Sequence, residues 1–492
     1  MHTALALALA FAAFQDTAPK IGSDVWRHEL GRRLAAMERA FGAADEELRV
    51  AALPHVERAV TAFFGGGFDR ASAAIDEARR VLVPLAIDDE TARLGLEAQR
   101  AFGDRLALVP TRRVVAEGAA SVGLDVLALY GDATIPEGVT WRVSARVSGV
   151  EGAEATAFGG DATLPARDEL ATLSLPAGDH VLQFAVFERD RPLRSTDVAF
   201  SVVADLDARL AKLEASVGDK KSIERTVAAH TAHHLFELLE ELAGGDVPEV
   251  DLAANALLTQ AETLAFGDEA ARSGLLAAPG DRYMALPLER GTAIGRLFVP
   301  EGIEPGRDVP LVLALHGAGG SENMFFATYG AGLAVDLARE RGWILFAPRV
   351  GPLGYTLDGT LAALDELLPI DRDNVFVVGH SMGAAATVGA VAKSPALVRA
   401  YAALGGGGRA STALIEVPGF VAAGASDFGK RGADALAQGL RTLGATIDAR
   451  TYADTEHLLI VQRALPDVFA FFDAHVRTNA AASEAPAAGS GG

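Results

Sequence analysis

A serine sits between two glycines at Gly379–His380–Ser381–Met382–Gly383. The apolar run Val375, Phe376, Val377, Val378 comes before it and an Ala-rich stretch, 384–390, comes after. Four consecutive apolar residues suit a strand buried on both faces. The small residues suit a helix packed close on a sheet. A strand-to-helix bend tight enough to hold Ser381 clear of the backbone needs neighbours without a Cβ, and Gly379 and Gly383 meet that need. A hydroxyl held this way can act as a nucleophile. The Met382 N–H is then free to meet an oxyanion, and the following helix turns its positive end toward the same point. The chemistry this suits is acyl transfer through a covalent serine intermediate.

Such a serine needs a base and a group to orient that base. Downstream, residues 417–424 read as a strand ending in a Gly-containing loop with Asp427 at its tip. Residues 446–452 alternate as a last strand should and run into His457. Both candidates fall just past a strand's carboxyl end, the edge where open α/β sheets form their sites. His457 would take the Ser381 proton, and Asp427 would hold the imidazole tautomer. Asp454 and Glu456 compete for the acid role by proximity. A residue one or three positions from His457 on the same loop is badly placed to reach its far nitrogen. A second source of oxyanion donors is the Gly-rich segment His316–Gly317–Ala318–Gly319–Gly320, which follows the apolar run 309–315. Ala318 is the first choice of donor there and Gly319 the second.

On four motifs, residues 281–478 resemble the α/β-hydrolase superfamily. These are L-H-G-A-G-G (Leu315 to Gly320), G-H-S-M-G (Gly379 to Gly383), G-A-S-D (Gly424 to Asp427) and E-H (Glu456, His457). Within the superfamily they resemble the compact esterases of the polyhydroxyalkanoate depolymerase-like, feruloyl esterase-like and phospholipase/carboxylesterase groups. The resemblance implies a mostly parallel sheet with flanking helices and no metal or organic cofactor. It also implies the chain order nucleophile, acid, histidine, which Ser381, Asp427 and His457 follow. His316 precedes the serine and is expected to bond its loop in place, and His380 is expected to pack. Secreted peptidase-like members share the same motifs, so ester and peptide substrates both stay open. Secreted esterases of these groups often carry disulfides, whereas this chain has no cysteine.

The elements that must position these residues occupy a chain of 492 residues, too long for one ordinary domain. With 50% hydrophobic and 22% charged residues it can bury a sizeable core. The absence of cysteine excludes disulfides, thiolate metal sites and a lipid anchor on cysteine. The net charge of −21 lies mostly ahead of residue 281 and argues against nucleic acid as a partner. Residues 1–15 form a short apolar run with the small-x-small sequence Ala10–Phe11–Ala12, as in a secretory signal peptide, although no Lys or Arg precedes it. Export to the periplasm or medium is therefore expected. No stretch is long and apolar enough to span a membrane.

Apolar residues recur at three and four over 22–107 (Leu30, Leu34, Met37, Phe41; Val56, Val60, Phe63, Phe64), which predicts a helical domain interrupted at Gly65–Gly66–Gly67. Residues 112–204 change to a period of two and predict a small Ig-like β-sandwich. Residues 205–270 return to a helical connector. There His230, His233, His234 and Glu237 fall at helical spacing, a pattern that suits metal less well than packing, since apolar residues interleave. Residues 479–492, rich in Ala, Ser, Pro and Gly, predict a disordered tail.

The reading is a serine hydrolase acting on a small-molecule or polymeric carboxylic ester. A secreted serine peptidase and a non-catalytic binding protein on the same scaffold are the alternatives. Phe325, Tyr355 and Phe428 are the candidates for an apolar substrate pocket. No insertion among the catalytic strands is long enough for a large lid, so an open site is expected. Residues 281–478 are expected to carry the complete catalytic set without the front half.

Overall fold

The computed structural model describes residues 21–477, apart from 133, 148–154, 160–163, 219–222, 305 and 352–354. The expected signal peptide (1–15) and tail (479–492) lie outside the described residues.

The front of the chain forms four helices, Ser23–Ala43, Glu46–Phe64, Phe68–Leu82 and Glu90–Arg105. Asp45 and Asp89 cap the second and fourth by accepting from the N–H groups of Leu48 and Ala92, at 3.0 and 2.8 Å. The second helix stops at Gly65 because Gly66 takes φ +74°, which a side chain would resist. The tight turn leaves Phe63 and Phe64 at the tip of a helical hairpin. Met37, Phe41, Val56 and Ile75 fill the helical core, and Leu459 from the far end of the chain packs among them.

Two small sheets follow. One joins β1 (Leu106–Pro110), β3 (Ser121–Ala128) and β6 (Ala166–Ala171). The other runs in the order β2 (Val114–Ala116), β8 (Arg191–Val203), β7 (Gly178–Glu188), β4 (Val139–Val147) and β5 (Ala155–Gly159). They share a core around Trp141, Phe184 and Phe200. The alternating burial along β7 is the period of two seen in the sequence.

Helices Leu206–Val217, Val227–Gly244, Ala254–Phe266 and Glu269–Ala277 lead into an eight-stranded sheet. Its strands are β9 (Gly280–Pro287), β10 (Thr292–Val299), β11 (Val309–Leu315), β12 (Ile344–Pro348), β13 (Ile370–His380), β14 (Ala400–Leu404), β15 (Gly419–Gly424) and β16 (Ile447–Tyr452). The spatial order is β16-β15-β14-β13-β11-β12-β10-β9. β10 runs antiparallel to both its neighbours, and the other pairings are parallel. This mostly parallel sheet with helices on both faces is an α/β-hydrolase fold. Val375 to Val378 are buried in its central β13, as a strand covered on both faces requires. Helix Met382–Lys393 packs on one face. Helix Leu459–Asp473 packs on the other, where Trp343, Phe376 and Phe472 stack at centroid distances of 5.3 and 4.7 Å.

Two features of this part of the chain bear on the site. After β11 the chain makes a short π-helical turn, Met324–Thr328, followed by a helix over Leu333–Arg341. Gly330 and Gly332, at φ +57° and +93°, separate the two. The eight-stranded sheet also does not own its core. Leu235, Leu239, Leu257 and Leu258 of the connector share one apolar cluster with Met284, Leu286 and Leu313. The Ala285 N–H on edge strand β9 donates to Thr231 Oγ1 at 3.0 Å. Residues 281–478 thus rely on the connector to cover one face.

Candidate active site

Ser381 closes the bend between β13 and its helix at φ 55°, ψ −113°, a conformation few residues adopt. Its own N–H donates to the Leu404 carbonyl at 2.8 Å, so the strand next door holds the bend. A Cβ on Gly379 would fall 2.1 Å from the Gly383 carbonyl oxygen, and one on Gly383 would fall 2.0 Å from that of Leu315. Both glycines are required by space.

His457 follows β16 and Asp427 follows β15, and the fold brings both to Ser381. His457 Nδ1 lies 2.7 Å from Asp427 Oδ1, and Nε2 lies 3.0 Å from Ser381 Oγ. An ionised carboxylate only accepts, so Nδ1 carries the proton and Nε2 is left to accept from the serine hydroxyl. His457 and Asp427 are buried, while Ser381 is half-buried. Burial by itself would raise the Asp427 carboxyl. The hydrogen bond and charge of His457, with the Gly429 N–H at 2.6 Å, outweigh this and hold it below the ordinary aspartate range. Glu456 is turned away from the imidazole. Its Oε1 accepts from the N–H groups of Leu458 and Leu459 at 2.9 and 2.8 Å and so holds the start of the last helix.

The loop Gly317–Gly320 crosses close to the serine. A Cβ on Gly317 would meet Ser381 Cβ at 3.3 Å. The Gly320 N–H is used within the turn, bonding the Gly317 carbonyl at 3.2 Å. Ala318 and Gly319 are exposed, and Gly319 takes φ +79°. Met382 opens its helix, where the first N–H groups have no partner within the helix. Met382 adjoins Ser381 in the chain, and Ala318 and Gly319 form the exposed part of the loop whose Gly317 approaches it.

His316 and His380 are both committed to backbone and tyrosine partners. His316 Nδ1–H donates to the Gly317 carbonyl at 2.8 Å, and its Nε2 accepts from the Val350 N–H at 2.9 Å. His380 Nε2–H donates to the His457 carbonyl at 2.8 Å. Its Nδ1, also at 2.8 Å, accepts from the Tyr329 hydroxyl. Burial, then the nearby His457, pushes His380 down to about 3. It stays neutral and anchors the backbone of His457. Sequence reasoning assigned His380 only to packing, because its partner Tyr329 lies 51 positions away.

Of the three pocket candidates, Phe428 lies at the site. Its ring centroid is 3.8 Å from that of His457 and it is 60% exposed. The expectation for Phe325 is corrected. Phe325 is fully buried in the core against Tyr329, because the π-helical turn points it inward. Tyr355 packs against the larger core cluster. His230, His233 and His234 go separate ways. They face Thr292 at 3.1 Å, Glu237 at 3.4 Å and the ring of Tyr283 at 6.0 Å. Among the described residues no group of three or more His, Asp or Glu side chains is placed to hold a metal ion, and no helix is long and apolar enough to cross a membrane.

Three contacts from the front of the chain reach the site, and the sequence carried no signal for any of them. Phe64 lies 5.3 Å from Phe428 and 6.1 Å from His457 between ring centroids. The Phe63 ring comes within 3.5 Å of where a Cβ on Gly319 would sit. Glu249 Oε2 accepts from Asn323 Nδ2 at 3.2 Å and from the Ser321 hydroxyl, pinning the segment that follows the Gly-rich loop. The expected open site therefore has a wall built by the helical hairpin. A groove of about 420 Å³ lined by Val83, Leu96, Arg100 and Leu193 shares no residue with this site.

No protein-family description matches the chain, and no curated protein is similar to it. Solved structures that match include the feruloyl esterase module from Clostridium thermocellum, at 14% identity and a TM-score of 0.37, over 41% of this chain and 93% of that one. A thermostable esterase matches at 15% identity and 0.36, over 76% and 100%. The S-formylglutathione hydrolase FrmB from Staphylococcus aureus matches at 13% and 0.34, over 39% and 98%. At these values the fold assignment rests on strand order and on the bend at Ser381.

Proposed function

We propose that this α/β-hydrolase-fold chain is a serine esterase that cleaves carboxylic esters through an acyl-enzyme. The observation that carries the reading is the line Ser381 Oγ, His457, Asp427, with contacts of 3.0 and 2.7 Å beside a loop of free backbone donors. In the first step Ser381 Oγ bonds to the acyl carbon as its proton passes to His457 Nε2. The N–H groups of Met382 and Ala318, or Gly319, receive the negative oxygen. The bond from carbon to the alcohol oxygen then breaks, and His457 returns the proton to that oxygen. Water repeats the sequence on the acyl-serine. Asp427 keeps the imidazole in the reactive tautomer and stabilises it while charged. These steps need no metal or organic cofactor.

Within this reading, residues 1–15 direct export, and residues 112–204 serve as an Ig-like module that supports the helices. A fluorophosphonate probe should label Ser381 in the native protein and leave Ser381→Ala unlabelled. An unlabelled native protein would favour the binding-protein alternative. Turnover of p-nitroanilide peptides above that of p-nitrophenyl esters would favour the peptidase.

A further inference from the structure

Phe64 and Phe428 are large apolar side chains left 36% and 60% exposed. They come from opposite ends of the chain and meet edge-to-face beside His457, at an interplanar angle of 84°. Phe63 continues the row at 5.4 Å from Phe64. Exposed rings gathered at one spot next to a polar mouth mark a place where apolar surface is to be covered.

Position decides which part of a substrate covers them. If Ser381 is the nucleophile, the acyl oxygen lies at Ala318 and Met382, and the leaving oxygen lies within reach of His457 Nε2, from which it takes its proton. A group carried on that leaving oxygen meets the rings beside His457 first. Phe428 is tilted 33° from the imidazole at 3.8 Å and Phe64 stands behind it. We propose that Phe64 and Phe428 form a subsite for the alcohol portion of the ester, and that this portion carries an aromatic ring or an apolar group of similar size. The proposal rests on the esterase reading and adds the side of the substrate that the front helices recognise.

The test holds the acyl group constant. Benzyl acetate and methyl acetate release alcohols of similar acidity, so their kcat/KM ratio reads recognition of the alcohol. Burying a phenyl ring against two others should make the native ratio about 30-fold in favour of benzyl. Phe64→Ala should cut that ratio about tenfold, and Phe64→Leu should cut it less. Phe266→Ala, an exposed phenylalanine on the connector, should leave it unchanged. A native ratio near one, or a Phe64→Ala protein that loses both esters equally, would overturn the subsite. A second readout needs no turnover. Saturation-transfer NMR should detect benzyl alcohol on Ser381→Ala protein and lose the signal when Phe64→Ala is added. Binding that survives Phe64→Ala overturns the proposal. Phe64-dependent binding without fluorophosphonate labelling of the native protein overturns only the esterase reading.

Discussion

Buried polar groups do opposite work in the two halves of this molecule. In the front half they close on one another. Arg33 donates to Asp76 at 2.7 Å and to the Asp104 carbonyl at 2.8 Å. Asp104 receives Arg79 and Arg80 at 2.8 and 3.0 Å. Arg194 reaches the carbonyls of Gly103, Asp104 and Leu106 at 2.9, 2.6 and 2.9 Å. These links join helices to one another, helix to sheet, and, through Arg194 and Leu106, one small sheet to the other. In the half that holds Ser381 the chain Tyr329, His380, His457, Asp427 is also buried and bonded, but it ends on the half-buried Ser381 Oγ. A closed network holds the fold together, and an open-ended one aims a reactive atom.

That contrast can be broken from either side. The largest effect belongs to the open end. Ser381→Ala should lower ester turnover by roughly 10⁴-fold with thermal stability unchanged. Retained turnover with a normal circular dichroism spectrum would reject the nucleophile. Next, Asp427→Asn should cost up to about 10⁴-fold, because it removes the acceptor that sets the His457 tautomer. Asp454→Asn should change the rate little, and a crippled Asp454→Asn enzyme would mean that the acid is misplaced.

The closed network should behave in reverse. Arg33→Met leaves Asp76 buried without its guanidinium and should destabilise by about 3 kcal/mol in denaturant unfolding. The kcat of the protein still folded should hardly move. A fall in kcat with stability intact would show that the two networks communicate.

The smallest effect is sited where the halves meet. Glu38 and Glu456 are both buried, and each keeps one oxygen without a hydrogen-bond partner. Burial first, then the charge of Asp427, pushes Glu456 up to about 7. Burial raises Glu38 well above the usual value too, with Glu456 adding to it. A raised carboxyl means that the folded state holds a proton the unfolded chain has released. Stability should therefore fall as pH rises from the ordinary glutamate value of 4.5 to about 7. Glu456→Gln keeps an acceptor for Leu458 and Leu459 and removes the titration. It should flatten that decline in Tm, and a decline of unchanged slope would put its cause elsewhere.

The site itself was legible because its parts are local and ordered. Gly379 and Gly383 flank Ser381 since any side chain there would strike backbone, and that requirement is written within five residues. Asp427 and His457 each follow a strand of strong pattern, so their place at the sheet's edge follows from the period. Short strands such as Val114–Ala116 gave too little pattern to read. The wall of the site was illegible for a different reason. Phe63 and Phe64 carry the spacing of core residues, and nothing local separates a ring that packs inward from one that leans on His457.

What the sequence determined by itself is the chemistry on offer and the order in which the chain presents it: a serine on a glycine-flanked bend, an acid and a histidine past later strands, and a Gly-rich loop of backbone donors. These are set by sterics and periodicity, which act over a few residues. The tertiary structure alone decided what surrounds that chemistry. It tied the segment after the Gly-rich loop to Glu249, placed Phe64 against Phe428, buried Glu38 near Glu456 and shared the core of the eight-stranded sheet with the connector. Each of those joins residues far apart in the chain. Such contacts depend on how whole elements pack, and packing is the sum of many weak contacts that no short stretch of sequence contains.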